Sequence, residues 1–104
     1  MRVTTQVVTL KVIYEWDQAK NRSNFAKHGL DFADAEQVLT GPSVTFVDSR
    51  SDYGEERLLT LGLLAGRVVI IAHAPRGDHI TRIISMRKAN RREQKIYQKR
   101  LGEG

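Results

Sequence analysis

Residues 57–87 have the sequence RLLTLGLLAGRVVIIAHAPRGDHITRIISMR. Apolar residues dominate this stretch, and two short breaks divide it, Ala65-Gly66 and Pro75-Arg76-Gly77-Asp78. Residues of these types form tight turns, and strands joined by short turns pair antiparallel. The stretch therefore predicts three consecutive antiparallel strands, which cover Arg57–Leu64, Arg67–Ala74 and His79–Arg87.

The two turns also predict which residues face each other. With Ala65-Gly66 as a two-residue turn, Leu61 lies opposite Ile70 and Leu59 opposite Ala72. With the second turn centred on Arg76-Gly77, Ile70 lies opposite Ile83 and Ile71 opposite Arg82. On that register the other, mixed face holds His73 diagonal to Arg82, and a one-residue slip would exchange the two faces. The more apolar, predicted core face comprises Leu59, Leu61, Leu63, Val68, Ile70, Ala72 and Ile83.

Helix boundaries stand out in the first half of the chain. The alternation from Val8 to Trp16 predicts a strand, and Asp17 and Gly29 then delimit a helix over about 18–28 as N-cap and C-cap. A second helix is predicted between Asp31 and Gly41-Pro42. Its apolar face comprises Phe32, Ala35, Val38 and Leu39.

Two further elements complete the predicted fold. Val44–Asp48 has the composition of a strand, and Asn90 and Glu93 have the spacing of a capping box that opens a helix from Arg91 to about Leu101. The 104 residues predict one α+β domain, with helices packed on one face of a mostly antiparallel sheet. Residues 1–10 are interpreted as an extension or an alternative start site.

Composition limits the class of protein. The chain has no cysteine, which excludes disulfides and cysteine-ligated zinc and suits a reducing cytosol. Its longest apolar run, Val68–Ala72, is far shorter than a membrane span, and the N-terminus lacks the features of a signal peptide. We expect a cytoplasmic protein without membrane contact.

Positive charge is concentrated at one end of the chain. The net charge is +5; residues 1–50 carry six basic and six acidic side chains, whereas residues 51–104 carry eleven and six. Between Arg82 and Arg100, eight basic residues accompany only Glu93. Such a segment attracts polyanions such as nucleic acids, and the alternative is a solvated helix with a solubilising charge run.

The first candidate site lies on the first predicted helix. Lys20, Asn24, Lys27 and His28 are spaced so that they share one helical stripe. Two cations and an amide could grip a phosphate, and His28 has the pKa range needed for proton transfer. The alternative is an ordinary solvated face, with His28 favourably placed at the negative end of the helix dipole.

The second and third candidates lie on the predicted strands. Glu55 and Arg57 point to the same side, so that a carboxylate base stands beside a guanidinium that stabilises phosphorane charge; the alternative is a strand-end ion pair. Arg82 lies among isoleucines, which is costly unless it is paired or faces a groove, and its fork suits phosphate. The basic track continues through Arg87, Lys88 and Arg91, with His73 as a weaker candidate.

Motifs for metals and cofactors are missing from the sequence. There is no glycine-rich phosphate loop and no HExxH motif, and His28, His73 and His79 lack a metal-ligand pattern. We predict neither a metal site nor a cofactor.

Three segments together resemble the BrnT toxins. The resemblance covers about residues 14–97 and rests on the order and spacing of these segments. They are Tyr14-Glu15-Trp16-Asp17 with Lys20, Asn24, Lys27-His28-Gly29, Phe32 and Ala35; Glu55-x-Arg57 leading to Gly62; and Arg82-Ile83-Ile84-Ser85-Met86-Arg87-Lys88-Ala89 with Arg92-Glu93 and Tyr97.

The resemblance implies a RelE-like fold and an mRNA-interferase-like endoribonuclease that cleaves RNA without a metal and arrests translation. It also implies a BrnA-like antitoxin that neutralises the toxin and brings the complex to operator DNA. We hypothesise attack by the ribose 2′-hydroxyl, with His28, Glu55, Arg57 and Arg82 as catalytic candidates. The rival hypothesis is a non-catalytic module that binds nucleic acid or an acidic partner.

Overall fold

The computed structural model describes residues 12–49 and 54–102. A single five-stranded sheet runs in the order β1-β5-β4-β3-β2. The elements in chain order are β1 (Ile13–Glu15), α1 (Gln18–His28), a 3₁₀ turn (Phe32–Asp34), α2 (Ala35–Thr40), β2 (Ser43–Val47), β3 (Leu58–Leu64), β4 (Arg67–Arg76), β5 (Ile80–Lys88) and α3 (Arg91–Gly102).

The α+β class is confirmed, and the sheet is mixed. Three of its four strand pairings are antiparallel, whereas β1 pairs parallel to β5. The predicted strand over 8–16 is reduced to β1 within the described residues, and its first part lies outside them. None of the helices within residues 12–49 and 54–102 has the length and apolar character that crossing a bilayer requires.

The predicted helix caps are confirmed. The Asp17 carboxylate accepts hydrogen bonds from the backbone of Ala19 and Lys20, and Gly29 closes α1 with a φ of 69°. Asp31 caps the 3₁₀ turn through the Ala33 N–H. At α3, Glu93 N donates to Asn90 Oδ1 at 2.8 Å and Asn90 N donates to Glu93 Oε1 at 2.9 Å, which is the reciprocal pair of a capping box.

The first hairpin register is also confirmed. Leu61 pairs with Ile70 and Leu59 with Ala72. Ala65 and Gly66 have φ values of 52° and 77°, as the central residues of a type I′ turn require.

The second hairpin register is not as predicted. Ile71 pairs with Met86, and Ala74 pairs with Arg82. One cause is that β4 extends to Arg76, so that the loop comprises residues 77–79 instead of being centred on Arg76-Gly77. The second cause is a β-bulge between Ala72 and His73 of β4, where the pairing skips one residue of β5.

The bulge separates Arg82 from His73. Because paired residues of adjacent strands share a face, Arg82 lies on the face of Ala74, and His73 lies on the opposite face with its partner Ile83. The prediction that His73 and Arg82 are diagonal neighbours is therefore wrong.

Helices cover both faces of the sheet, not one. The residues of β4 from Val69 to Ala74 are all buried, as in a strand that is packed on two sides. The larger cluster, on the α2 face, comprises Phe32, Ala35, Val38, Val69, Ile71, Ile83 and Met86. The smaller cluster, on the α3 face, comprises Leu61, Ile70, Ala89 and Tyr97. The predicted core face is thus the α3 face, except that Ile83, predicted there, lies in the α2 cluster because of the bulge. The deeper core lies on the face that the sequence suggested was mixed.

Candidate functional site

One transverse line across the sheet carries four charged residues, two of them within β1 and β5 and two directly beside the ends of β2 and β3. Glu15 pairs with Arg82, and Arg82 pairs with Ala74. The Asp48 N–H donates to the Arg57 carbonyl at 2.8 Å, which extends the β2–β3 ladder by one residue. The next step of the β3–β4 ladder places Arg57 opposite Ala74. We call Asp48, Arg57, Ala74, Arg82 and Glu15 the charged row.

The charged row lies on the α3 face of the sheet. Along β4 its member Ala74 alternates with buried residues of the α2 face and shares the side of Ile70, which packs in the α3 cluster. Arg57 and Arg82 are separated by two strand spacings, which places their backbones about 10 Å apart. Two arginine side chains at that separation can reach one phosphate between them. The structure therefore brings these two predicted residues together.

Glu15 and Glu55 lie close to the arginines, at distances longer than a hydrogen bond. Glu15 Oε1 lies 3.7 Å from Arg82 Nη1. Glu55 Oε1 lies 3.8 Å from Arg57 Nε, and Glu55 Oε2 lies 3.6 Å from Arg76 Nη2. Ion pairs of this length and exposure contribute at most about 1 kcal/mol.

Sequence reasoning missed three members of this surface. Glu15 and Asp48 lie on other strands, and no local pattern links them to Arg82 or Arg57. Arg76 was interpreted as a turn residue, but β4 continues through it and places it two residues beyond Ala74 on the same face. For Arg76, the number of arginines on these strands was the signal in the sequence that could have identified it.

Asn24 has a structural role. Its side-chain Nδ2 donates to the Met86 carbonyl at 2.9 Å, and its Oδ1 accepts from the Met86 N–H at 3.2 Å. The carboxamide thus makes the two backbone hydrogen bonds that a neighbouring strand would make at Met86, which lies beyond the part of β5 that pairs with β1. Because both polar atoms are occupied, Asn24 is not placed to bind substrate.

The two ends of the predicted helical stripe lie in different places. Lys20 and Arg82 both lie near Asp17: the pKa of Asp17 is lowered mainly by the hydrogen bond from the Lys20 backbone, and the charges of Lys20 and Arg82 add to the effect. Lys27 and His28 are in the last turn of α1, about 15 Å along the helix axis from its start.

His28 belongs to the α2 side of the sheet. It lines a surface cavity of about 650 Å³ together with Val69 and Lys88, and Val69 is part of the α2 cluster. The structure therefore separates His28 from Arg57 and Arg82 by the thickness of the sheet, and Lys88 lies at the far end of β5 from Arg82. The predicted composite of all these residues does not form.

His73 is an interior residue. Its side chain is 8% exposed, and its Nε2 lies 2.7 Å from Thr60 Oγ1, which in turn lies 2.8 Å from Thr45 Oγ1. Burial lowers the pKa of His73. A contact between His73 and nucleic acid is thus incompatible with its position inside the α2 face.

Arg87 links β5 to α3. Its Nη1 and Nη2 each donate to Glu93 at 2.8 Å, so the pair is bidentate and holds the start of the helix. Arg91 is exposed at the first position of α3, where Arg92 and Lys95 also line an open groove beside Ile96. The helix therefore adds positive charge to the α3 face, and it begins beside Val68, at the end of β4 opposite to Ala74.

Within residues 12–49 and 54–102, no three His, Cys, Asp or Glu side chains converge as metal ligands would.

Comparisons with known proteins agree with this architecture. The family model described as "Ribonuclease toxin, BrnT, of type II toxin-antitoxin system" matches residues 16–93. The crystal structure of the Brucella abortus ribonuclease toxin BrnT is similar, with 36% sequence identity and a TM-score of 0.60 over 80% of this chain and 100% of that one. A search of curated proteins gave no match. With three quarters of its length matched and a solved relative of the same family, the chain belongs to the BrnT family of ribonuclease toxins of type II toxin–antitoxin systems.

Proposed function

We propose that the chain is a metal-independent endoribonuclease and that it cleaves RNA on the α3 face, at the charged row. One observation carries this proposal: Arg57 and Arg82 flank the fully buried Ala74 on a single line of the sheet. Two guanidinium groups in that arrangement bind the non-bridging oxygens of one phosphate and stabilise the charge that grows on them.

The nucleophile in this reaction is part of the RNA substrate. The ribose 2′-oxygen attacks the adjacent phosphorus, the bond from phosphorus to the 5′-oxygen breaks, and the products are a 2′,3′-cyclic phosphate and a 5′-hydroxyl. The enzyme must orient the attacking oxygen, take up its proton and stabilise the phosphorane. A metal ion is not required for any of these tasks.

Glu55 is the best-placed general base. Its carboxylate lies within 4 Å of both Arg57 and Arg76, and its side chain is 31% exposed. It accepts the proton of the 2′-hydroxyl, and solvent supplies the proton for the departing 5′-oxygen. His28, the other acid–base candidate, lies on the opposite face and has no part in this step.

The remaining cations position the RNA. Lys20, which like Arg82 lies near Asp17, contacts a phosphate next to the cleaved one, and Arg91, at the start of α3, contacts the RNA further along the α3 face. Such contacts raise affinity and carry little sequence information. Arg87 contributes indirectly, because its pair with Glu93 holds α3 in place.

We further propose that a BrnA-like antitoxin neutralises the toxin and that the complex binds operator DNA through the antitoxin. Membership of a type II toxin–antitoxin family supports a protein partner. Cleavage of messenger RNA would arrest translation and would take place in the cytoplasm. Co-expression with the neighbouring reading frame should restore growth if that frame encodes the antitoxin, and continued growth arrest would contradict this pairing.

Incubation of the purified chain with RNA in EDTA tests the activity. We expect discrete fragments with 2′,3′-cyclic phosphate ends, and a loss of about 100-fold or more in rate for Glu55→Gln purified in parallel. The parallel variant also controls for contaminating nucleases. Intact RNA combined with tight binding of duplex DNA would instead support the non-catalytic module.

A further inference from the structure

We propose that Arg76 completes a cradle of three arginines around Ala74 and that this cradle binds one phosphate group of RNA. The inference rests on the proposed function for the identity of the ligand as RNA. Arg76 is absent from the candidate residues that the sequence provided, because it was assigned to a turn.

The strand register places the three arginines around one small residue. Arg82 pairs with Ala74, and the β3–β4 register, continued by one residue beyond Leu58, sets Arg57 opposite Ala74 on the other side. Arg76 is two residues further along β4 and therefore projects from the same face. It is a diagonal neighbour of both other arginines, at about 7–8 Å, which is within reach of long side chains.

The centre of the cradle is a small side chain with no polar group. Ala74 is fully buried, and Ala72, the next residue on that face, is 8% exposed. The short methyl group of Ala74 lies beneath the longer side chains around it, so a phosphate would meet the guanidinium groups and not the floor of the cradle. Phosphate oxygens accept two parallel hydrogen bonds from an arginine fork, and three forks provide more donors than one phosphate needs.

Glu55 acts as the internal counter-ion of the cradle. It lies 3.8 Å from Arg57 and 3.6 Å from Arg76, so it is shared between two guanidinium groups. Three arginines this close repel one another unless an anion stands near them. Arg76 is the most exposed of the three, at 46% of its side chain, and is the one that solvent and a phosphate reach first.

Binding of a 2′-O-methyl oligoribonucleotide, measured by fluorescence anisotropy, tests the inference. This probe lacks the nucleophilic hydroxyl, so its binding can be measured whether or not the protein cleaves RNA. We expect Arg76→Ala to weaken binding roughly ten- to a hundredfold, and to reduce the slope of log affinity against log salt by about 0.7. Arg76→Lys keeps the charge and should keep the slope while losing part of the affinity.

Arg67→Ala is the matched control. Arg67 is on the same strand and is exposed, but it lies at the opposite end of β4, nine residues from Arg76. It should bind within about twofold of the wild type, with an unchanged salt slope. If Arg76→Ala fails to fold as judged by circular dichroism, Arg76→Gln, which keeps a polar chain of similar reach, takes its place.

The outcomes separate the inference from the proposed function. Equal affinity and equal salt slope for Arg76→Ala and Arg67→Ala would overturn the inference, as would a wild type that does not bind the probe. The wild type could also bind the probe in an Arg76-dependent way and yet leave unmodified RNA intact. That result would contradict the proposed nuclease activity and support the phosphate cradle.

Discussion

His73 illustrates how burial sets the chemistry of a single residue. Its imidazole is 8% exposed and bonded to Thr60, and desolvation disfavours its charged form, so that its pKa lies below the ordinary 6.5. Histidine is a common proton-transfer residue, but burial within the α2 face favours the neutral form of His73. The lowered pKa of His73 therefore affects the stability of the fold and not the cleavage of RNA.

The stability of the fold should fall in acid because of His73. The unfolded chain takes up a proton on this residue near pH 6.5, whereas the folded chain resists it, so the free energy of unfolding decreases as the pH drops below about 6.5. Urea unfolding of the wild type and of His73→Gln between pH 5 and pH 8 measures the effect. The variant should show a smaller decrease over that range, and identical pH profiles would show that His73 does not contribute.

At the scale of elements, α1 is fastened to β5 by one side chain. Asn24 makes two hydrogen bonds with the backbone of Met86, while none of the residues of α1 is fully buried. The helix therefore depends on this contact more than on an apolar face. This contact explains why Asn24 occurs between Lys20 and Lys27, on the helical stripe that the sequence suggested would bind phosphate.

Asn24→Ala should destabilise the protein by about 1–3 kcal/mol, because it leaves the Met86 N–H and carbonyl without their partner. Ser23→Ala, at the preceding exposed position of α1, is the control and should change stability by less than about 0.5 kcal/mol. Chemical denaturation compares the two. Equal stability of both variants would contradict the structural role of Asn24.

The contact of α2 with β3 depends on a glycine, Gly62. A Cβ atom on Gly62 would lie 2.7 Å from Val38 Cγ1 and 3.2 Å from the Val38 carbonyl oxygen. The glycine therefore lets the helix approach the strand closely, and no sequence pattern of the strand required it.

Gly62→Ala should cost about 1–3 kcal/mol of stability through this overlap. In a double-mutant cycle, Val38→Ala removes the nearer of the two atoms, so the double variant should be less destabilised than the sum of the single variants. Additive effects would mean that the two residues do not meet as described.

At the scale of the whole molecule, local chemistry predicted the elements and long-range pairing decided the site. The caps at Asp17 and Asn90 and the turn at Ala65-Gly66 depend on neighbouring residues, and all three form as predicted. The bulge beside His73 has no local signature, yet it exchanges the face on which Arg82 lies.

Partners on distant strands were beyond sequence reasoning for the same reason. Glu15 and Asp48 join the charged row only because β1 and β2 form the two edges of the sheet. The apolar runs of β4 are compatible with burial on one face or both, so the position of α3 opposite α2 could not be deduced from them. The RelE-like topology that the resemblance implied stays a prediction.

The single-turnover cleavage rate of Arg82→Ala tests the charged row most directly. We predict a rate on the order of 100- to 1,000-fold below the wild type, at a melting temperature within a few degrees of it, while Arg67→Ala cleaves at nearly the wild-type rate. A folded Arg82→Ala variant that cleaves RNA as fast as the wild type would contradict the assignment of the active site to the α3 face.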